Sequence, residues 1–254
     1  MKVLVGIKSV PAVAGRIALT PDGRAIDTKH LGFAIGPHEE CAVEQAVRLI
    51  EADGGEAVVV TLGPASALEQ LRDALALGMT RAIHLVTDGQ EWDPESTTEA
   101  LLAAIEADEA ESGAFDLILL GNEAGDSADY QVAVRLGRAL GRPTITALKG
   151  LSIAGGVARC EQEVEGGRDV YELTLPAVAA VLEGINLPRF PSVPGRLRAK
   201  TKPVATSEPA RPAQRLEMLR LVVPQGAAKQ AQVLGHGPEA APAVVGVLRS
   251  LGVL

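Results

Sequence analysis

Ala57-Val58-Val59-Val60-Thr61-Leu62-Gly63-Pro64-Ala65-Ser66 is the stretch that decides the fold. The apolar run through Leu62 has no polar face, so it reads as a strand covered on both sides. Gly63-Pro64-Ala65-Ser66 then turns into a helix carrying Leu68, Leu71 and Leu75, Gly78 ends that helix, and Ala82 to Val86 supplies the next strand. Working outward, the same unit recurs. Val3 to Ile7 is a buried strand, and Pro37 opens a helix with Val43, Ala46, Val47 and Ile50 on one face until Gly54-Gly55 stops it. Glu95 to Ala107 is helical, Leu117 to Leu120 is a fourth strand, and Ala128 to Leu140 is a helix stopped by Gly141 and Pro143. Four strand–helix steps with short connections predict an α/β fold, a parallel sheet with helices on both faces.

Past residue 150 the rhythm changes. Gly155-Gly156 and Gly166-Gly167 sit as hairpin turns between Leu151–Ile153, Ala158–Val164 and Val170–Leu175. These predict an antiparallel extension of the sheet over about 150–175, and Pro176 to Leu182 adds one more buried strand. Together these segments form a domain over residues 1–185. Pro188-Arg189-Phe190-Pro191-Ser192-Val193-Pro194-Gly195 is too rich in proline for regular structure, which predicts an irregular loop over 186–200. Residues 201–254 read as a Pro-rich C-terminal arm that lies on a partner, closed by a helix at Ala243 to Leu251.

The 254 residues are 47% hydrophobic and 22% charged, enough apolar material for a full core, but only 2% aromatic. With 24 basic against 32 acidic residues the net charge is −8. A generic nucleic-acid binder needs a basic excess to displace counterions from phosphate, so that class is excluded. Cys41 and Cys160 form no CxxC pair, which argues against a disulfide scaffold or a metal site and fits a reducing compartment. The apolar start ends at Lys8, and no uninterrupted run approaches the roughly 18 residues of a membrane span. The expectation is a cytoplasmic protein without membrane insertion.

In a parallel sheet ligands bind beyond the carboxyl ends of the strands, where strand order reverses. The residues there are Gly6-Ile7-Lys8, Leu62-Gly63-Pro64-Ala65, and Gly121 through Val132, the last of which leaves a strand through two glycines and enters a helix at Ser127 or Asp129. Free N–H groups at such a helix start suit a phosphate, although neither GxGxxG nor GxxxxGK[ST] is present. Glu39-Glu40 reads as a helix-start charge pair rather than an acid–base pair. His30, His38, His84 and His236 are scattered, with His84 in a strand, packed or exposed at its rim rather than a ligand, and neither cysteine has a neighbour to activate it. The chain by itself is expected to perform no bond-breaking chemistry.

The segment Val164-Glu165-Gly166-Gly167-Arg168-Asp169-Val170-Tyr171-Glu172-Leu173-Thr174-Leu175-Pro176-Ala177-Val178 closely resembles the signature of the electron transfer flavoprotein β subunit. Four further stretches agree in order and spacing: Pro37 with Ala42-Val43-Glu44-Gln45-Ala46-Val47, Gly63-Pro64-Ala65 followed by Ala74 to His84, Gly121 to Gln131, and Ile185-Asn186 with Pro188-Arg189-Phe190-Pro191 and Ala199-Lys200. The resemblance covers residues 2 to about 205. It implies an adenine-nucleotide-hydrolase-like (Rossmann-like) sheet with a hairpin extension and a C-terminal arm packed on a partner α subunit. It also implies an electron carrier rather than an enzyme, with FAD shared with the α subunit and a structural AMP in this chain. Electrons would arrive from acyl-CoA or related dehydrogenases, as in fatty acid oxidation, and leave to a quinone oxidoreductase.

Carried over by motif, the nucleotide contacts fall on Gly6, Gly36, Pro37, His38, Glu39 and Leu62. The loop adds Gly121, Asn122, Glu123, Ala124, Gly125, Asp126, Ser127, Ala128, Asp129, Tyr130, Gln131 and Val132. Three positions depart from the family pattern: Gly36 stands where many members have Asn, His38 at an aromatic position, and Val13 near the place of a flavin-side aromatic. The recognition loop over 186–200 would present Val193, stiffened by Pro194, as an anchor on a dehydrogenase. The alternatives are a bifurcating form with a second FAD in place of AMP, or a stand-alone adenine-nucleotide-binding protein. An ATP-pyrophosphatase would need Ser-Gly-Gly-x-Asp-Ser where Gly6-Ile7-Lys8-Ser9-Val10-Pro11 stands, and a universal-stress-like ATP binder would be far shorter.

Overall fold

A computed structural model describes residues 1–13, 17–223 and 232–254. In chain order, β1 (Lys2–Ile7), β2 (Ser9–Pro11) and β3 (Phe33–Ile35) precede α1 (Pro37–Asp53). Then follow β4 (Glu56–Gly63), α2 (Leu68–Leu77), β5 (Arg81–Val86), α3 (Pro94–Ser112), β6 (Leu117–Gly121) and α4 (Val132–Leu140). The remainder holds β7 (Thr144–Ala154), β8 (Val157–Val164), β9 (Gly167–Thr174), β10 (Ala177–Val181), α5 (Val193–Ala199), β11 (Val204–Ser207) and α6 (Ala241–Ser250).

Nine strands form one sheet in the order β11-β5-β4-β1-β6-β10-β7-β8-β9. From β11 to β7 neighbours pair in parallel, and β7-β8-β9 pair antiparallel. Alternate residues of β1 face opposite ways, as a pleat requires. Val3 and Val5 pack with Val43, Val47, Leu71 and Leu75 of α1 and α2, whereas Leu4 packs with Leu101 and Ile105 of α3 and Leu136 of α4. The sheet is thus covered on both faces, as its uninterrupted apolar strands predict.

Local signals set the helix ends. Pro37 occupies the first turn of α1 and Gly54 closes it at φ 74°, while Asp93 caps α3 by accepting the Ser96 N–H at 2.7 Å. Asp93 also accepts the N–H groups of Arg215 (2.7 Å) and Leu216 (3.0 Å), so this part of the arm lies on its own domain. β11 likewise joins the sheet beside β5. Residues 224–231 of the expected arm lie outside the described residues.

Three expectations are corrected. The helix expected from Ala128 begins at Val132, because Ala128 (φ 66°) and Asp129 (φ 39°) lie in the left-handed region and cannot start a right-handed helix. The stretch 188–195 is not wholly irregular: α5 begins at Val193, with Pro194 in its first turn, where a missing N–H costs nothing, and Ser192 Oγ accepting the Gly195 N–H at 3.1 Å. Third, β7 starts at Thr144, pairing with β10 before it continues into the hairpin, rather than at Leu151.

The chain forms two compact units, 1–220 and 221–254. In the second, α6 leaves Val244, Val245, Val247 and the following Leu251 exposed. Among the described residues no helix is long and apolar enough to cross a membrane.

Candidate functional site

Strand order reverses at β1: the chain builds outward through β4 and β5, then returns to the other side of β1 as β6. The crevice outside the carboxyl ends of β1 and β6 is therefore the place for a ligand. Three elements meet there: Lys8 following β1, the N-terminus of α1, and the loop after β6.

Glu39, in the first turn of α1, is turned into this crevice and is only 5% exposed. A Cβ on Gly36 would lie 2.3 Å from Glu39 Oε2, and one on Gly121 would lie 2.8 Å from its Cδ, so two glycines 85 positions apart make the room for one carboxyl. Glu39 Oε2 and His38 Nδ1 are both buried without a hydrogen-bond partner among the described residues. Burial pushes the Glu39 carboxyl up to about 7, opposed by its own backbone N–H and by Lys8. Glu39 and Glu40 both stand in the first turn of α1, as expected of a helix-start pair, but only Glu40 is exposed, and Glu39 is buried against Gly36 and Gly121.

Lys8 Nζ bonds Asp126 Oδ1 and Glu91 Oε1, each at 2.8 Å, and Ser127 Oγ at 3.1 Å. Burial acts to lower the Lys8 ammonium, and the two carboxylates more than offset it, leaving it above its ordinary range. Through Asp126, Lys8 holds the loop after β6. That loop is closed on itself: Ala124 and Ala128 exchange two backbone hydrogen bonds at 2.8 and 2.9 Å, and the Ser127 hydroxyl donates to Asp129. Gln131 precedes α4 without capping it, its side chain being bonded to Arg135, so the first-turn N–H groups of α4 stay free for an acceptor.

Of the residues expected at the site, the structure brings together Gly36, Glu39 and Gly121, and Lys8 gathers Asp126 and Ser127, with His38 Nε2 3.9 Å from Glu123 Oε1 at the margin. A Cβ on Gly6 would meet only the end of the Leu120 side chain. Leu62 lies near the end of β4 and packs toward the second core, as does Val132. Pro37, Gly125, Tyr130 and Gln131 are exposed. Asn122 is turned away to β7, where its Oδ1 accepts the Ala147 N–H at 2.8 Å. Val13 is exposed after β2. Sequence reasoning gave Lys8 and Glu91 no role, although Lys8 directly follows a strand at the edge where ligands bind. His84 is buried, with Nε2 3.1 Å from the Pro64 carbonyl, and both cysteines are free and buried.

A second feature stands apart from the crevice. Asn186 Nδ2 donates to the Cys41 carbonyl at 3.0 Å, Arg48 to the Leu187 carbonyl at 3.2 Å, and Arg189 forks onto Glu44 and Glu51. These bonds tie the segment before α5 to α1. From the far side, Arg72 of α2 donates to the Ala199 and Lys202 carbonyls at 2.6 and 2.8 Å. The held segment projects Phe190, 95% exposed, Val193, 74% exposed, and the exposed Leu187 and Leu197. These apolar side chains stand in water on a braced scaffold rather than in a core.

Residues 24–212 match the family model for the electron transfer flavoprotein domain. The chain is 36% identical over 225 residues to the electron transfer flavoprotein subunit beta of Syntrophomonas wolfei, covering 88% of this chain and 86% of that one. It is 39% identical over 178 residues to the subunit beta of Bacillus subtilis, covering 69% and 67%, and 34% identical over 233 residues to that of Bradyrhizobium diazoefficiens, covering 89% and 90%. With the reversed strand order, the glycine-lined crevice and the braced apolar segment in place, this similarity over most of both lengths means that the chain belongs to the electron transfer flavoprotein family, on its β-subunit side.

Proposed function

We propose that this chain is the nucleotide-holding half of an αβ electron carrier, with AMP in the crevice between β1 and β6 and FAD shared with the α subunit. The observation that carries the reading is the crevice itself. Gly36 and Gly121 let the Glu39 carboxyl reach into it, and two buried polar atoms, Glu39 Oε2 and His38 Nδ1, have no partner among the described residues. Such atoms are costly unless a ligand satisfies them. Gly6, Gly36 to Glu39 and Leu62 would hold the nucleoside side, and the loop from Gly121 to Val132, with the free first-turn N–H groups of α4, would hold the phosphate. Lys8 keeps that loop in place. The flavin, when bound, supplies the electron chemistry, and this chain's residues position and screen it.

On this reading Val193 and Pro194 lie in the surface that docks a dehydrogenase, of the acyl-CoA or a related class, and a quinone oxidoreductase takes the electrons onward. The exposed valines of α6 support the expected C-terminal arm over 201–254, with its last helix packed on the α subunit. The two free, buried cysteines support a reducing, cytoplasmic setting. Co-expression with the α subunit and acid release of bound nucleotide tests the proposal. One FAD with one AMP per αβ pair is the expected result, two FAD would replace AMP by the bifurcating arrangement, and a colourless single chain would overturn the reading.

A further inference from the structure

The carboxyl of Glu39 is sealed between Gly36 and Gly121 with one oxygen unpartnered, and this arrangement has a chemical consequence for any ligand beside it. We propose that Glu39 meets the bound nucleotide as a neutral carboxylic acid and donates its proton in a hydrogen bond to an acceptor atom of that nucleotide, so that nucleotide binding takes up a proton in neutral and alkaline solution. The inference rests on the nucleotide reading of the crevice and adds the protonation state of one contact to it.

Three observations support it. First, a buried carboxylate with one oxygen unpartnered is among the most costly groups a protein can hold, whereas the protonated acid carries its own donor. Burial accordingly moves this carboxyl up to about 7. Second, the groups that favour the anion, its own backbone N–H and Lys8, do not outweigh its burial. Lys8, from the end of β1, is already shared between Asp126 and Glu91. Asp126, from the loop after β6, and Glu40, on the same helix, are acidic and push the Glu39 carboxyl further up. His38 stands beside it with Nε2 toward Glu123. Third, a nucleotide brings its own negative charge into the crevice, which raises the carboxyl again and favours the bound state in which Glu39 keeps its proton.

No bond to carbon or phosphorus changes in this step. Above the carboxyl's own titration the proton comes from solvent on binding and returns to solvent on release.

The αβ complex depleted of nucleotide is titrated with AMP by calorimetry from pH 7 to 9, above the second ionisation of a phosphate monoester at about 6. Repeating each titration in buffers of different ionisation enthalpy gives the protons taken up. The expected result is a fractional proton uptake that grows toward one per AMP, with affinity falling about tenfold for each pH unit at the alkaline end. Glu39→Gln keeps the shape and a donor at every pH. It should bind AMP with affinity constant within about twofold over the range and take up no proton, a readout that a merely structural Glu39 would not move. Flat wild-type affinity, or an unchanged slope in Glu39→Gln, overturns the inference and leaves the nucleotide reading standing. Failure of the wild-type complex to bind AMP at any pH overturns both.

Discussion

Arg189 and Glu44, 145 positions apart, are joined by a charge-assisted hydrogen bond of 2.8 Å between Nε and Oε2, with Glu44 only 3% exposed. The same guanidinium reaches Glu51 at 2.6 and 2.8 Å, so one arginine fastens the segment before α5 to two turns of α1. Burial alone would raise the Glu44 carboxyl, but bonds from Arg189 and Arg48 hold it below its ordinary range. Its contribution to stability is therefore present above the usual carboxylate range and is lost as pH falls through it. Arg189→Ala should cost about 2 kcal/mol at neutral pH, because Glu44 keeps only Arg48 as a partner. It should also expose residues 186–192 to protease. Unchanged melting together with unchanged cleavage in this segment would show that the clamp holds nothing.

The proposed docking surface can be tested apart from the fold because its side chains contribute little to the interior. Phe190→Ala and Val193→Asp should leave melting and bound nucleotide within error, since both side chains are mostly in water. The rate of electron transfer from an acyl-CoA dehydrogenase should fall tenfold or more, as expected when a central apolar anchor is removed. Between Gly184 and Ser207 the chain carries Arg189, Arg196, Arg198, Lys200 and Lys202 and no acidic residue, against a net charge of −8 overall. The transfer rate should therefore also drop as salt is raised, by screening of this basic rim. Stopped-flow reduction of the carrier reads both effects, and equal rates for wild type and Val193→Asp would remove this surface from the docking role.

How much of this was legible in the sequence depends on how local each signal is. α1 could be read from Pro37 to Gly54 because its start, apolar face and stop lie within one segment, and β1, β4 and β6 because a run of apolar residues needs no partner to be recognised. The β2–β3 ribbon was not legible: each strand has three residues, and they pair across a long connection. β11 was hidden for a similar reason, being a short, half-exposed stretch whose partner β5 lies more than 100 positions earlier. The late start of α4 turns on two non-glycine residues in the left-handed region, which composition does not announce. At the site, the motif named Glu39, but its burial follows from the missing side chains of Gly36 and Gly121, a relation between residues distant in sequence.

Gly137 shows the same kind of dependence inside a helix. On propensity alone Gly→Ala in α4 should stabilise by roughly 0.5–1 kcal/mol. A Cβ there would lie 1.7 Å from Thr144 Oγ1 and 2.9 Å from Thr144 Cβ, at the start of β7, so the helix would be pushed off the sheet. Gly137→Ala should instead destabilise by about 1–3 kcal/mol, and adding Thr144→Ala, which removes the nearest atom, should recover part of the loss. Thermal melting of the single and double variants decides the sign; a stabilised Gly137→Ala would mean that the contact gives way without cost.

Glu39 ties the crevice to stability through pH. Its carboxyl stands near 7 in the folded chain against about 4.5 when free, so the native state binds the extra proton between those values. The sign follows from that excess: the stability associated with protonated Glu39 is complete below about 4.5 and is lost as pH rises through about 7, to a limit of roughly 3 kcal/mol. Glu39→Gln removes the titrating group while keeping its shape. In the nucleotide-free αβ complex the variant should melt close to wild type at pH 5 and several degrees above it at pH 8, because only the wild type then buries a carboxylate with one oxygen unpartnered. Other titrating groups cancel in the difference between the two proteins. A gap that stays constant from pH 5 to 8 would mean that water reaches Glu39 and that the crevice is more open than its two glycines make it.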